Sequence, residues 1–222
     1  MTDFQSKLEL QQTPDGSYTL LRTDIGETYH SRHGALTESL HVFIKNGLEL
    51  LPKKDKIMVL EIGLGTMLNA YLTAQWAQEQ GQHIDYIGLE KHPVPAEFLV
   101  KPDIKWDLNG EQYGQITKTP WEAPSQINDY FSFQKQVADA LTCEINMAPD
   151  IIFFDAFAPN YQGEMWDITF FGKLFKTIKP GGIFTTYCAK GSVRRDLEAV
   201  GFRIERKPGP PGKREMLVGF KD

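Results

Sequence analysis

Ile57-Met58-Val59-Leu60-Glu61-Ile62-Gly63-Leu64-Gly65-Thr66-Met67-Leu68-Asn69 is an apolar run that ends on a carboxylate and turns through two glycines. The run reads as a buried strand, the glycines as a tight turn, and the residues beyond as the start of a helix. Open α/β sheets bind nucleotide-like cofactors with this arrangement: glycine lets the backbone approach the ligand, and the helix start presents free N–H groups. The turn also narrows the ligand. A dinucleotide fingerprint wants a third glycine three residues after Gly65, and Leu68 stands there. Glu61, at the strand end, would repel a pyrophosphate but suits a cationic amino acid group. A cofactor carrying an ammonium and a sulfonium fits these residues better than a nicotinamide dinucleotide.

Outward from this stretch, strands and helices alternate. Upstream, Tyr18–Leu21 and Glu27–Tyr29 read as short strands, and Leu36, Leu40, Phe43, Ile44, Leu48 and Leu51 recur at helical spacing between Gly34 and Pro52. Downstream the pattern predicts a helix to about Glu79, a strand at Ile84–Leu89, and an irregular excursion from Lys101 to Ile127. Strands near Phe131–Val137 and Asp150–Asp155 follow, then a helix from Glu164 to Ile178, a strand at Ile183–Tyr187 and a helix from Ser192 to Val200. Strands at Phe202–Arg206 and Glu215–Phe220 close the chain. Such alternation means an α/β fold with a mostly parallel, doubly wound sheet. Residues 1–52 read as a small amino-terminal extension packed on a core domain of residues 53–222.

Composition bounds the function. A chain of 222 residues with 41% hydrophobic and 24% charged content suits one compact unit. No apolar run approaches the roughly 20 residues that cross a bilayer, and the start lacks a basic segment followed by an apolar one. A soluble cytoplasmic protein, without membrane contact, is expected. Cys143 and Cys188 are the two cysteines, with no CxxC and no metal-spaced His/Cys cluster, so neither a disulfide framework nor a metal site is expected. The net charge of −5 argues mildly against nucleic acid, but its distribution does not: residues 186–222 hold nine Lys/Arg against five Asp/Glu. A basic lip on an acidic body is the reading.

Three further carboxylates sit at or after strand ends, where ligands of open α/β sheets bind. Glu90 ends the second core strand, 25 positions after Gly65, placed to accept hydrogen bonds from two ribose hydroxyls. Asp139 follows the third strand, where such folds usually meet an adenine edge. Asp155 ends the fully apolar run Ile151-Ile152-Phe153-Phe154 and precedes Ala156-Phe157-Ala158-Pro159. Pro159 and Asn160 delay the next helix, so Asp155 is no helix cap and belongs beside the reactive end of the cofactor.

These residues resemble a known family. Glu61-Ile62-Gly63-Leu64-Gly65-Thr66-Met67-Leu68-Asn69, Phe154-Asp155-Ala156-Phe157-Ala158-Pro159, Glu164-Met165-Trp166, Gly191-Ser192-Val193-Arg194-Arg195 and Lys213-Arg214-Glu215-Met216-Leu217 are similar to the methyltransferases that finish 5-methylaminomethyl-2-thiouridine at the tRNA wobble position. That family occurs free-standing (MnmD) or as the amino-terminal half of bacterial MnmC. Tyr29-His30-Ser31, Gly34-Ala35-Leu36, Glu38-Ser39 and His41-Val42-Phe43 resemble its entry segment, and the likeness runs from about Tyr18 to Gly219. It implies a class I, S-adenosylmethionine-dependent, Rossmann-like fold with a seven-stranded sheet and helices on both faces. It also implies methyl transfer to an exocyclic amine. The family's cofactor positions fall on Glu61, Gly63, Gly65, Thr66, Asn69, Glu90 and Asp139, and its catalytic carboxylate on Asp155. Met67 stands where the family often has glycine, and Leu64 where it often has an aromatic, so a slightly different cofactor loop is expected. A monomer without the fused FAD-dependent oxidase is also expected.

For a base flipped out of an anticodon loop, Tyr29, Phe157, Pro159, Met165 and Trp166 are the candidate wall, since such bases are held by stacking. Arg194, Arg195, Lys213 and Arg214 are the candidate phosphate contacts. Tyr18–Tyr29 and His30–His33 are placed as a lid, with the histidines at its surface. Two other classes fit the same pattern less well: a methyltransferase or aminopropyltransferase-like enzyme acting on a small-molecule amine, and a noncatalytic module that keeps the cofactor fold.

Overall fold

The side-chain pattern of the core strands sets the layers. In the computed structural model, which describes residues 7–99 and 110–222, Ile57 and Val59 point to one face of the sheet and Leu60 and Ile62 to the other. Ile151 and Phe153 likewise oppose Ile152 and Phe154, and all eight residues are buried. Strands apolar on consecutive positions need cover on both faces. They receive it as two separate cores, one beneath Tyr71 and Phe43, the other beneath Phe171, Leu174 and Leu197.

The elements run β1 (Leu8–Gln12), β2 (Tyr18–Arg22), β3 (Glu27–Thr28), α1 (Ala35–Ser39), β4 (Lys56–Ile62), α2 (Leu68–Gln80), β5 (His83–Glu90), α3 (Ala96–Leu99), α4 (Gly110–Lys118), β6 (Ser125–Asn128), β7 (Phe131–Val137), β8 (Ile151–Phe154), α5 (Ile168–Thr177), β9 (Ile183–Thr186), α6 (Gly191–Ala199), β10 (Arg203–Pro208) and β11 (Glu215–Phe220). Strands β1 to β3 form a separate antiparallel sheet. The main sheet has the order β10-β11-β9-β8-β4-β5-β7-β6, parallel from β9 to β7 and antiparallel at both ends.

Several details differ from the sequence reading. The main sheet has eight strands rather than seven, because β6 pairs antiparallel with β7 at the edge. Helix α4 and strand β6 occupy part of the stretch expected to be irregular, while residues 100–109 lie outside the described residues. Strand β1 was not expected: Leu8-Glu9-Leu10-Gln11-Gln12 is too polar to show a strand alone, and it is held by its register with β2. The helix expected from Gly34 is α1 continued by a π-helical stretch, Leu40–Lys45, and a 3₁₀ turn, Leu48–Leu50. The helix expected over 164–178 is a 3₁₀ turn, Gly163–Trp166, and then α5. Asp167 separates them as the N-cap, its side chain accepting from the Thr169 N–H.

Between β4 and α2 the glycine turn folds as its composition demands. Gly63 and Gly65 have φ of 88° and 49°, and Met67, with φ 65° and ψ 20°, also holds the left-handed conformation that glycine adopts without strain. The loop therefore keeps a glycine-type backbone with a methionine in it. The Met67 side chain is 1% exposed and belongs to the core, not to the cavity described below. Met67→Gly relieves about 1–2 kcal/mol of backbone strain but empties a site whose truncation costs about 2–5 kcal/mol. Urea denaturation should show a net loss of up to about 4 kcal/mol, with cofactor affinity little changed by calorimetry.

Candidate active site

Parallel strands β8, β4, β5 and β7 are neighbours, so their carboxyl ends bring Asp155, the Gly63–Gly65 turn, Glu90 and Asp139 around one cavity of about 500 Å³. Backbone hydrogen bonds lock these ends together. Gly63 and Leu64 N–H both donate to Leu89 O at 3.1 Å, and Asp155 N–H donates to Ile62 O at 2.9 Å. A Cβ at Gly63 would lie 2.7 Å from the Asp155 carbonyl oxygen, and one at Gly65 would lie 2.9 Å from the Tyr29 ring. Both glycines are needed for the walls to meet.

Two carboxylates on the far side are braced differently. Glu90 accepts from Gly65 N–H at 2.9 Å and from His92 N–H at 2.8 Å. Burial raises its carboxyl, against the pull of those backbone donors. Asp139 is paired with Lys91 at 2.9 Å and accepts from Leu141 N–H at 3.0 Å, and the Lys91 bond holds its carboxyl below the usual range.

At the other end, one amide links two acids. Asn69 Nδ2 donates to Asp155 Oδ2 at 2.8 Å and to Glu61 Oε1 at 2.7 Å, and Glu61 Oε2 accepts from Tyr86 OH at 2.7 Å. Glu61 is fully buried on the face of β4 that also carries Ile57 and Val59, beneath α2, and burial drives its carboxyl well above the usual range. The Asp155 carboxyl is raised to about 7, chiefly by burial and then by Glu38, against the Asn69 hydrogen bond and Lys213. A carboxyl at that level exchanges a proton near neutral pH.

The amino-terminal segment roofs the cavity. The Tyr29 ring meets Phe157 edge-on at 5.0 Å, and His30 Nε2 lies 2.6 Å from Thr66 Oγ1. His30, expected at the surface, is buried, and burial lowers its pKa to about 4, so it is neutral. Glu38 accepts from Ser31 N–H at 3.1 Å and from Lys213 Nζ. His30, Glu38 and Tyr187 all line the cavity; the sequence offered no strand-end signal for His30 or Glu38, while Tyr187 stands at the end of the strand expected over 183–187.

The structure sorts the candidate residues into three sets. Gly63, Gly65, Glu90, Asp139, Asp155, Tyr29, Phe157, Met165 and Lys213 line the cavity. Glu61, Thr66 and Asn69 stand behind its wall, and Glu61 reaches it only through Asn69. Pro159, Trp166, Arg194, Arg195 and Arg214 lie outside the wall. Trp166 is a core residue, packed edge-on against Phe154 at 4.8 Å, its indole N–H donating to Phe157 O. Arg194 pairs with Glu198 along α6, while Arg195 and Arg214 are exposed. The cavity mouth instead carries Arg22, Arg32 and Lys91. Among the described residues no helix is long and apolar enough to cross a membrane, and no His/Cys/Asp/Glu group could hold a metal ion.

Removing Glu61 tests the amide link. Glu61→Leu leaves Tyr86 OH and one Asn69 hydrogen unpaired in the interior, at about 1–3 kcal/mol each. Denaturation should show a loss of about 2–6 kcal/mol, whereas Glu61→Gln, which keeps an acceptor, should lose much less.

Residues 126–222 match the profile of a family described as S-adenosyl-L-methionine-dependent methyltransferases. The tRNA 5-methylaminomethyl-2-thiouridine biosynthesis bifunctional protein MnmC of Leptospira borgpetersenii is 32% identical over 214 residues, covering 87% of this chain and 32% of its own length. MnmC of Pseudomonas paraeruginosa is 29% identical over 245 residues, covering 99% of this chain and 36% of its own length. The chain thus spans about a third of the length of these relatives. The crystal structure of MNMC2 from Aquifex aeolicus superposes with a TM-score of 0.79 at 26% identity, covering 96% of this chain and 70% of that one. Sheet order, glycine turn and strand-end acids agree with these likenesses: the chain carries a match to the S-adenosyl-L-methionine-dependent methyltransferases over residues 126–222, and over most of its length it is similar in sequence to MnmC and in fold to MNMC2.

Proposed function

We propose that this protein transfers a methyl group from S-adenosylmethionine to the aminomethyl nitrogen of 5-aminomethyl-(2-thio)uridine at the wobble position of tRNA, giving 5-methylaminomethyl-(2-thio)uridine. The observation that carries this reading is Asp155: a carboxylate at the end of a central strand, in the cavity wall, oriented by Asn69 and raised to about 7. The similarity to MnmC over most of the chain supplies the substrate class.

The residues present suit the cofactor. The cavity volume lies in the range of small-molecule sites. Glu90 and Asp139 offer acceptors to ribose hydroxyls and an adenine edge, and Gly63 and Gly65 leave the backbone accessible. Asn69 Oδ1 is buried without a partner, an acceptor that suits an ammonium. Thr66 and Glu61 act at one remove, Thr66 through His30 and Glu61 through Asn69. When bound, the cofactor supplies an electrophilic methyl group on a sulfonium.

What the chain must do is deliver a neutral amine in line with that methyl group. An alkylamine is protonated near neutral pH, and its lone pair becomes nucleophilic only after the proton is lost. Asp155 accepts that proton, and Asn69 holds the carboxylate still while it does so. Orientation of the two reacting atoms supplies much of the rate. Tyr29, Phe157 and Met165 present apolar surface to the base. Arg195 and Arg214 remain the candidate phosphate contacts, joined by Arg22, Arg32 and Lys91 at the mouth. We read the protein as a cytoplasmic monomer, with residues 1–52 as an amino-terminal extension of the catalytic domain.

Loss of the protein from its host should leave unmethylated 5-aminomethyluridine derivatives in tRNA, read by nucleoside mass spectrometry; unchanged nucleosides would favour a small-molecule amine instead. Because Asp155 must be ionised to accept the proton, kcat/KM should fall as pH drops below about 7 and level off above it. Asp155→Asn should abolish that limb and lower kcat by about 10²- to 10⁴-fold, with cofactor affinity largely retained; wild-type turnover in that variant would exclude the assignment. The Arg195→Ala/Arg214→Ala double variant should weaken tRNA binding and reduce the slope of log K against log salt by about 1–2, measured by fluorescence titration.

A further inference from the structure

Glu38 has no part in the proton transfer described above, yet both of its carboxylate oxygens are engaged in the cavity wall. It lies in α1 and is 7% exposed. One carboxylate oxygen accepts from Ser31 N–H and the other from Lys213 Nζ. Lys213 arrives from the opposite end of the chain, in the loop between β10 and β11. Its Nζ sits 3.9 Å from the centroid of the Tyr187 ring, and the Tyr187 hydroxyl donates to Ala156 O at 2.8 Å, fixing that ring beside Asp155. Asp155 senses both partners: Glu38 raises its carboxyl and Lys213 lowers it. An alkylammonium therefore lies against a buried carboxylate and over an aromatic face, with a second carboxylate close by, the surroundings that hold a cationic amine.

The parts of this arrangement differ in mobility. Glu38 is held by α1, whose first turn is pinned where Asp15 accepts from Thr37 N–H at 3.0 Å and Thr37 Oγ1 at 2.8 Å. The Glu38 side chain is 9% exposed, that of Lys213 is 32% exposed, and Lys213 follows the loop Pro208-Gly209-Pro210-Pro211-Gly212. A lysine stem can swing to solvent, where it regains rotamer freedom. Glu38 cannot follow, and a buried carboxylate stripped of its cation is strongly unfavourable unless another cation replaces it.

We propose that Glu38 is a specificity-determining residue: with Tyr187 and Asp155 it forms an alkylammonium site, filled by the Lys213 side chain in the substrate-free protein and by the substrate's own ammonium when Lys213 swings out. The proposal rests on the reading of the substrate as a primary amine. It requires that the site discriminate against uridines with an uncharged 5-substituent, which cannot replace the lysine. No bond is made or broken in the exchange; one ammonium leaves as the other enters, and Asp155 then takes a proton from the newcomer.

Two measurements test it. Without RNA, propylammonium chloride, against sodium chloride at equal ionic strength, should raise the melting temperature of Lys213→Ala saturably. It should leave wild type and Lys213→Ala/Glu38→Gln unchanged; equal effects on all three proteins, or none on Lys213→Ala, would overturn the site. With Lys213 intact, anticodon-loop RNAs carrying 5-aminomethyluridine or 5-methyluridine are titrated in the presence of S-adenosylhomocysteine. Wild type should prefer the amine by about tenfold or more, and Glu38→Gln should lose that preference, whereas its retention in Glu38→Gln would refute the role of Glu38. If wild type binds neither RNA, the tRNA reading fails while the propylammonium arm still judges the site.

Discussion

One side-chain amide joins the interior of the sheet to the reactive end of the cavity. The two hydrogens of Asn69 Nδ2 are shared between Glu61, sealed beneath α2, and Asp155, at the end of β8. Glu61 is in turn held by Tyr86 OH from β5. The chain Tyr86–Glu61–Asn69–Asp155 therefore runs through three neighbouring strands and the first turn of α2. An interior acid with every partner in place rigidifies its surroundings, and the same low dielectric that makes it costly to disturb raises both carboxyls. Geometry and acidity at Asp155 thus have a common origin.

Around that fixed point, the two ends of the chain converge. The segment from Thr28 to Glu38 supplies the roof, and the loop after β10 supplies Lys213, so the cavity is closed by residues nearly the whole chain apart. Three of the four Lys/Arg side chains of the wall are matched by acids of the same protein, Lys91 by Asp139, Arg22 by Asp24 and Lys213 by Glu38, while Arg32 donates to Gly26 O. A site built this way is not a bare basic patch, which accords with the net charge of −5. It holds ionic contacts that a charged substrate can exchange rather than create.

The layered fold was legible because its signals are local. Consecutive apolar residues at 57–60 and 151–154, glycines at the turn, and acids after each strand report a parallel sheet and its ligand edge without reference to distant residues. Gly63, Gly65, Glu90, Asp139 and Asp155 line the cavity because the carboxyl ends of adjacent parallel strands lie side by side. Glu61 was harder to read. It is close in sequence to the turn, but its parity along β4 matches Ile57 and Val59, which points it under α2 rather than toward the ligand. Trp166 and Arg194 lie outside the cavity wall for a similar reason: an aromatic or a cation in a family-like block says nothing of which side of its helix faces the cavity.

By itself, the sequence determined the alternation of the parallel core strands with helices, the glycine turn, and the row of carboxylates at one edge, since each follows from side-chain period and backbone freedom over a few residues. Met67 shows the border between the two kinds of information. Its departure from glycine is visible in the sequence, but only the backbone at φ 65° shows that the glycine conformation persists with the side chain turned into the core. The tertiary structure alone decided that His30 is buried and neutral, that Glu38 meets Lys213 over Tyr187, and that one amide holds two acids. These contacts join residues 8 to 175 positions apart, and no local periodicity encodes a pairing that exists only once the sheet has closed.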